Sequence, residues 1–307
     1  MSRLLSGQVF PEDDLKMANG AAKSLTRGNL SKAGAAPENV LARLLAKKRP
    51  LVMGVLNITP DSFSDGGQYL QPPAAIEHAR RLGAEGADII DIGAESTRPY
   101  GGTRPVSLEE ERERLEPILP AVATIGIPVS IDTIKAAVAA WALESGATLV
   151  NDVWGLQRDP DMARVVAEHG AAVIIMHNRE SADPAIDIIA DIDDFFSRSL
   201  EIAWRAGIAR DRVVLDPGIG FGKTPEQSLA CLARLEKFRG FGLPLLVGAS
   251  RKRFIDAVAP SAPMERIGGS LAAHLLAVEH GAAIIRAHDV APTVQALAVA
   301  AAIGRAR

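Results

Sequence analysis

Short apolar runs of strand length recur eight times between residues 51 and 289, and each run ends at a polar or charged residue. Most of the stretches between these runs have the 3.6-residue periodicity of amphipathic helices. The residues that end the runs are Asn57, Asp91, Asp132, Asn151, His177, Asp216, Ser250 and Arg286. This alternation predicts a closed parallel (β/α)8 barrel, a TIM barrel, whose active site lies at the carboxyl-terminal ends of the strands.

The predicted strands cover residues 51–56, 88–92, 128–131, 148–150, 172–176, 213–215, 245–247 and 283–285. Between them we expect a helix over residues 72–83 and another that is capped by Ser107. Gly146, Gly170 and Gly281 are expected to end helices in the left-handed conformation. A chain of 307 residues, 48% of them hydrophobic, is long enough for one such barrel of about 250 residues.

The first 49 residues differ from the rest in composition. They mix Gly, Ser, Asn, Lys and Ala, and they contain one convincing helical patch over residues 37–48. We interpret residues 1–49 as a partly mobile N-terminal extension without a catalytic role, and residues 50–307 as the barrel domain.

Charge and cysteine content narrow the class of protein. The formal net charge of −3 argues against general affinity for nucleic acid. A single cysteine, Cys231, excludes an intramolecular disulfide and suits a reducing cytoplasm. No apolar stretch approaches the roughly 20 residues that span a bilayer, and the N-terminus lacks a secretory signal. We therefore predict a cytoplasmic protein whose partners are neither nucleic acid nor membrane.

Two loops that follow strands are unusually long. The first, over residues 57–71, carries Phe63 in a polar stretch, which favours a lid over ordinary turn chemistry. The second, over residues 93–106, carries Arg98 among flexible neighbours. That arginine is either a bidentate phosphate ligand or a solvated side chain.

Three acceptor-rich side chains follow separate strands without a gap: Asp132, Asn151 and Asp216. Asp132 has an alternative interpretation, since an acid in that position can cap the next helix. Together with Lys252, however, the three would bind a flat heterocycle that has several N–H donors and one carbonyl.

The glycine-rich stretch over residues 216–224 is not a nucleotide phosphate loop, because the position five residues before Gly222 is Pro217. We interpret it as a close-packed turn in which Phe221 is available to stack on a ligand. Lys223 is interpreted as a solvated residue.

Cations gather after the seventh and eighth strands. Residues 248–254 open a helix with Arg251, Lys252 and Arg253, which predicts an anion site rather than a solvated basic patch. Arg286 and His288 alternate, so both face one side of a strand, and Asp289 is a possible helix cap. The sequence has neither an H-E-x-x-H motif nor a Cys/His cluster, which argues against zinc.

With these residues assembled, the chain closely resembles the dihydropteroate synthases, folate-pathway enzymes of the pterin-binding barrel superfamily. The similarity covers approximately residues 51–303 and rests on residues 57–67, 95–99, 130–133, 151–152, 216–223, 250–252 and 286–289. It implies the condensation of 6-hydroxymethyl-7,8-dihydropterin diphosphate with 4-aminobenzoate, by a dissociative mechanism, in an enzyme that sulfonamides target.

The resemblance also implies roles for individual residues. The family's pterin contacts fall on Asp132, Asn151, Met176, Asp216 and Lys252. Its diphosphate contacts fall on Asn57, Arg98, Arg286 and His288, with Mg²⁺ at Asn57. Its aminobenzoate contacts fall on Phe63, Thr97, Pro99, Phe221 and Lys252. Catalytic roles fall on Asp132, Lys252 and Arg98. A homodimer is expected on the same ground.

Two positions depart from the family pattern. Asn178-Arg179-Glu180 follows Met176-His177, where another Met and a loop with Gly and Pro are expected. Arg253 stands after Lys252, where the family often has Ser. The first departure leaves the edge of the pocket near the fifth strand open to revision.

Three other functions compete with this prediction. A methyltetrahydrofolate-dependent methyltransferase of the same superfamily would share the pterin-binding acids but would not need the cluster of cations. A catalytically silent pterin-binding paralogue would keep the ring pocket alone. A Schiff-base aldolase that uses Lys252 is the most remote of the three.

Overall fold

The computed structural model describes residues 39–58, 71–95 and 105–306. Eight parallel strands in these ranges follow one another in chain order, and the last pairs with the first to close a barrel. The predicted (β/α)8 fold is therefore confirmed. All the described residues fall within the unit Pro37–Arg307, and the predicted domain boundary after residue 49 stays a prediction.

The strands agree closely with the predicted ranges. They are β1 Leu51–Asn57, β2 Ile89–Gly93, β3 Val129–Asp132, β4 Leu149–Asp152, β5 Ala172–Met176, β6 Val213–Asp216, β7 Leu245–Val247 and β8 Ala282–Ala287. Asp132, Asn151 and Asp216 lie inside their strands rather than after them. A polar side chain does not prevent its own backbone from pairing, and Asp132 is in register with Asn151.

Helices occupy most of the connections between strands. They are α1 Val40–Leu45, α2 Pro72–Ala84, α3 Leu108–Leu115, α4 Leu119–Ala123, α5 Ala136–Glu144, α6 Met162–His169, α7 Ile188–Arg205, α8 Pro225–Ala233, α9 Arg253–Val258, α10 Ile267–Glu279 and α11 Val290–Arg305. Short 3-10 helices lie at Arg210–Arg212, Leu235–Phe241 and Pro263–Glu265. No helix within the described ranges has the length and apolar character needed to cross a membrane.

Local helix signals act as predicted. The hydroxyl of Ser107 accepts a hydrogen bond from the backbone N–H of Glu110 at the start of α3. Gly146, Gly170 and Gly281 have φ angles of 107°, 58° and 104°. Glycine is favoured there because it lacks the Cβ that makes positive φ costly.

Alternate side chains of the strands point into the barrel and form its inner core. The lower part of that core is apolar and includes Leu41 and Leu44 of α1, which pack against strand residues such as Leu51, Met53 and Ile89. The other strand positions, among them Val52 and Ile90, pack outward against the surrounding helices. Because α1 packs over the lower core, we take the carboxyl-terminal ends of the strands as the end of the interior that receives a ligand, and we call it the mouth.

Candidate active site

The period of two along each strand brings polar side chains into the mouth. Five of them lie two or four residues after an apolar side chain of the inner core, and Asp132 lies two residues after the buried Ser130, so all six face the same interior. The polar side chains placed in this way are Asn57, Asp91, Asp132, Asn151, Asp216 and Arg286. The predicted group of acids, amide and cation is therefore brought together at one end of the barrel.

Arg286 lies at the centre of this group and binds two aspartates. Its Nε donates to Asp91 Oδ2 at 2.7 Å, and its Nη2 donates to Asp132 Oδ2 at 3.0 Å. Asn151 Nδ2 donates to the same Oδ2 of Asp91 at 3.1 Å. The side chain of Asp91 is fully buried, and that of Arg286 is 18% exposed. Asp91 thus links Asn151, a predicted pterin contact, to Arg286, a predicted diphosphate contact.

Several buried oxygens in this cluster have no hydrogen-bond partner among the described residues. They are Asp91 Oδ1, Asp132 Oδ1, Asn151 Oδ1 and the hydroxyl of Ser130. Buried polar atoms are seldom left unsatisfied in folded proteins. When Asp132 is ionised, three of these four atoms accept but cannot donate, so the mouth is suited to a ligand that offers several N–H groups.

Burial changes the acidity of the two carboxylates at the mouth. For Asp132, exclusion of water and then the like charge of Asp91 raise the pKa to about 8, although the charge of Arg286 opposes this rise. Burial also raises the pKa of Asp216 to about 6, against the hydrogen bond from Gly218 and the charge of Lys252. Asp132 therefore titrates near neutral pH, and its charge depends on what occupies the cavity.

Asp216 and Met176 form a neighbouring wall of the mouth. The two residues are in register on adjacent strands, and both are buried. Asp216 Oδ1 accepts from the backbone N–H of Gly218 at 2.7 Å. That contact leads directly into the glycine-rich turn of residues 217–222.

Lys252 reaches the ring of Phe221, which belongs to this turn. The Lys252 Nζ lies 4.0 Å from the ring centroid, a cation–π geometry. Lys252 itself is the N-cap residue of α9 and has an extended backbone. The two side chains that the resemblance assigns to the aminobenzoate are therefore in contact.

Neighbouring residues of the basic segment before α9 have different partners: Lys252 contacts Phe221, whereas Arg251 binds Asp289. Arg251 has a φ of 58°, and its guanidinium pairs with Asp289 at 2.5 Å. Its backbone N–H is bound by the hydroxyl of Ser270 at 2.9 Å. Asp289 occupies the N-cap position of α11, as the sequence indicates, but its carboxylate makes no cap hydrogen bond and binds Arg251 instead.

Asn57 ends β1 and His288 directly follows β8, the two strands that close the barrel. The His288 Nδ1 is 3.1 Å from the Ser250 hydroxyl, which also accepts the His288 backbone N–H at 3.2 Å. Asn57 is half-buried at the end of β1 and in register with Gly93. Phe63, Thr97, Arg98 and Pro99 lie outside the described residues, so their assigned roles stay predictions.

Two residues of this end were missed or misinterpreted in the sequence. Asp91 was noted only as the end of an apolar run, although an acid two residues after the core residue Ile89 indicates an interior charge. Lys223 was interpreted as solvated, which is wrong: it is 3% exposed. Two backbone carbonyls and the imidazole of His177 accept hydrogen bonds from its ammonium group in place of water. These acceptors come together only in the folded turn.

Comparison with known proteins agrees with this geometry. Residues 53–288 match the family described as pterin binding enzyme. The dihydropteroate synthase of Bacillus subtilis is 45% identical over 245 residues, which cover 80% of this chain and 85% of that protein.

Solved structures extend the likeness to the whole barrel. A crystal structure of dihydropteroate synthase from Clostridium difficile in the presence of pteroic acid matches with a TM-score of 0.80 and 45% identity, covering 84% of this chain and 98% of that chain. The Xanthomonas albilineans dihydropteroate synthase with 4-aminobenzoic acid matches with a TM-score of 0.79 and 42% identity, covering 83% and 93%. The chain belongs to the pterin-binding enzymes and, among them, to the dihydropteroate synthase family.

Proposed function

We propose that this protein condenses 6-hydroxymethyl-7,8-dihydropterin diphosphate with 4-aminobenzoate, giving 7,8-dihydropteroate and diphosphate. The observation that carries the proposal is the cluster of Asp91, Asp132, Asn151 and Arg286. It combines unsatisfied acceptors for a ring with a cation for a charged tail in one cavity. The family relationship and the ligands of the two structural relatives support the same reaction.

The ring is bound through its N–H groups. Asp132 Oδ1 and Asn151 Oδ1 are buried acceptors that lack a partner among the described residues, so N–H donors of the ring would satisfy them. Asp216 supplies a further carboxylate, and Lys252 a donor for the ring carbonyl. Met176 packs beside them as an apolar contact.

The leaving diphosphate is bound by cations and an amide. Arg286 binds Asp91 and Asp132 in the mouth, and His288 directly follows the eighth strand. We assign both to the diphosphate, with Arg98 from the second loop. No group of three or more His, Cys, Asp or Glu side chains that would hold a metal occurs among the residues described. The carboxamide oxygen of Asn57 still fits Mg²⁺, since that ion often takes one or two protein oxygens together with phosphate oxygens and water. When bound, Mg²⁺ would neutralise charge on the diphosphate.

The reaction begins with cleavage of the C–O bond between the pterin methylene and the diphosphate. The electron pair of that bond leaves with the diphosphate, and positive charge is left on the pterin methylene and its ring. Asp132 is the fixed counter-charge for this cation, and formation of a cation beside it favours its ionised form. The lone pair of the neutral arylamine then forms the new C–N bond, and the nitrogen loses a proton.

A coupled diphosphate-release assay tests the proposal. Purified protein with Mg²⁺ and the pterin diphosphate is expected to release diphosphate at a steady rate only after 4-aminobenzoate is added. Release without the arylamine, or no release with it, contradicts the proposed reaction. The homodimer expected from the resemblance and the cytoplasmic location expected from the composition stay predictions.

A further inference from the structure

The buried lysine of the glycine-rich turn has no part in the chemistry described above. We propose that Lys223 is a positioning residue of the arylamine pocket: it holds the carbonyls of Gly218 and Phe221 and so fixes the turn that presents the Phe221 ring to Lys252. This inference rests on the proposed function, which assigns Phe221 and Lys252 to the arylamine.

The contacts of Lys223 account for the three hydrogens of an ammonium group. Its Nζ donates to the carbonyl oxygen of Gly218 at 2.9 Å and to that of Phe221 at 3.1 Å. The third acceptor is His177 Nδ1 at 2.7 Å. Hydrogen bonds from a charged donor inside a protein are stronger than neutral ones, so these three contacts restrain both ends of the turn.

The turn needs such restraint because its own backbone is permissive. Gly218, Gly220 and Gly222 have φ angles of 65°, 77° and 53°, all in the region that glycine populates freely. A Cβ on Gly218 would lie 2.0 Å from the carbonyl oxygen of His177, so the turn packs against the end of the fifth strand. Three flexible residues around Phe221 would let its ring move unless its carbonyl were held.

His177 connects Lys223 to helix α7 through hydrogen bonds. An ammonium only donates, so Nδ1 of His177 accepts and its Nε2 carries the hydrogen. That Nε2 lies 3.0 Å from Asp191 Oδ2, and Arg179 Nη1 lies 2.9 Å from each oxygen of Asp191. Burial and the charge of Lys223 lower the pKa of His177 to about 3, which keeps the imidazole neutral.

The departure from the family pattern after the fifth strand takes part in this network. Arg179 is one of the three unexpected residues, and its backbone packs closely on Gly222, where an added Cβ would lie 2.6 Å from the Arg179 carbonyl oxygen. In this chain the altered loop therefore supports the turn from outside, while Lys223 holds it from inside.

The test replaces Lys223 by methionine, which keeps a similar length and removes the ammonium. The KM for 4-aminobenzoate is expected to rise about tenfold or more, the change that 1.4 kcal/mol produces. Affinity for the pterin diphosphate should change much less, because its assigned ring contacts Asp132, Asn151 and Asp216 lie on strands. Hydrogen exchange of the amides at residues 218–222 should become faster.

Lys237→Met is the matched control, since Lys237 is exposed in the 3-10 helix Leu235–Phe241. It should leave both KM values and the exchange rates unchanged. An unchanged KM for the arylamine in Lys223→Met overturns the inference. Equal increases in both KM values together with a lower melting temperature also overturn it, because they indicate general destabilisation.

Asp191→Asn serves if Lys223→Met does not fold, since Asp191 is partly exposed and acts through His177. It is expected to raise the same KM by a smaller factor, and no change overturns the inference. If the wild-type protein showed no arylamine-dependent release, the proposed reaction would fail. Hydrogen exchange would still decide the role of Lys223 in the turn. Equal exchange rates of the turn amides in the wild-type protein and in Lys223→Met would reject that role.

Discussion

Two aspartates three residues apart, Asp88 just before β2 and Asp91 in the middle of that strand, have sharply different surroundings. Asp88, just before the strand, accepts from Lys47 at 2.5 Å, from both terminal nitrogens of Arg49, and from the backbone N–H of Val52 at 3.0 Å. Both its oxygens are therefore used. Asp91, inside the strand, shares one oxygen between Arg286 and Asn151, and its second oxygen has no partner among the described residues.

The acids at the two ends of the barrel also differ in their pKa values. Burial alone would raise the pKa of Asp88, but the hydrogen bonds from Arg49 and Lys47 hold it below the usual value. At the mouth, burial and Asp91 raise the pKa of Asp132 to about 8. Acids at the amino-terminal end of this barrel are thus fully compensated and stabilise the fold, whereas acids at the mouth are left short of partners that a ligand supplies.

The largest effect is expected for Asp132→Asn, which removes the proposed counter-charge at the mouth. The kcat should fall by about 100-fold or more, the scale for losing one preorganised group aimed at developing charge. Affinity for a non-reactive pterin should fall by less than about fivefold, since the amide keeps an acceptor oxygen. Steady-state kinetics and calorimetric titration measure the two quantities, and equal losses in both would reject the counter-charge role.

Asp91→Asn tests whether Arg286 and Asn151 depend on the carboxylate of Asp91. The variant loses one of the two charged partners of Arg286, and its new amide group can change the orientation of the Asn151 side chain. We expect kcat/KM for the pterin diphosphate to fall about 30-fold, as the loss of about 2 kcal/mol from charged hydrogen bonds predicts. The initial rate at low substrate measures this ratio. A change within twofold would show that Arg286 and Asn151 do not need Asp91.

The pH dependence of the wild-type protein tests the raised pKa. A carboxyl group with a pKa of about 8 is mostly protonated at pH 7 and ionised at pH 9. If the carboxylate is the active form, kcat/KM for the pterin diphosphate should rise up to about tenfold over that interval. The arylamine must be saturating, because burial lowers the pKa of Lys223 to about 8 as well. An equal rise in Asp132→Asn would assign the titration to another group.

The smallest effect on activity is expected for Asp88→Asn, the same chemical change at the other end of the strand. Lys47 and Arg49 are 43% and 51% exposed, so water can solvate them after the change. The free energy of unfolding should fall by about 1–3 kcal/mol through the weakened hydrogen bonds. Urea denaturation measures that loss, while kcat/KM should stay within twofold of the wild-type value. A large loss of activity at unchanged stability would remove the distinction between the two ends.

Much of the site was predictable from local sequence. Ile89, Leu149 and Val214 alternate with Asp91, Asn151 and Asp216, so the strand period alone directs these polar side chains to the interior. Ser107 and the helix-ending glycines acted through neighbours a few residues away. The order of the strands followed from the alternation of strands and helices, because parallel neighbours need a crossover helix.

Partners and charge states required the tertiary structure. Asp91 and Arg286 are 195 residues apart in the chain, and only closure of the barrel brings them within 2.7 Å. Sequence alone does not show that Lys223 is buried or that the Asp289 carboxylate binds Arg251, since His177 and Arg251 belong to other loops and the carbonyls of Gly218 and Phe221 converge only in the folded turn. Sequence by itself therefore determined which side chains face the interior, because periodicity depends on adjacent residues. The folded barrel decided which of them pair and which titrate near neutral pH, because ion pairing and the exclusion of water depend on distances in space.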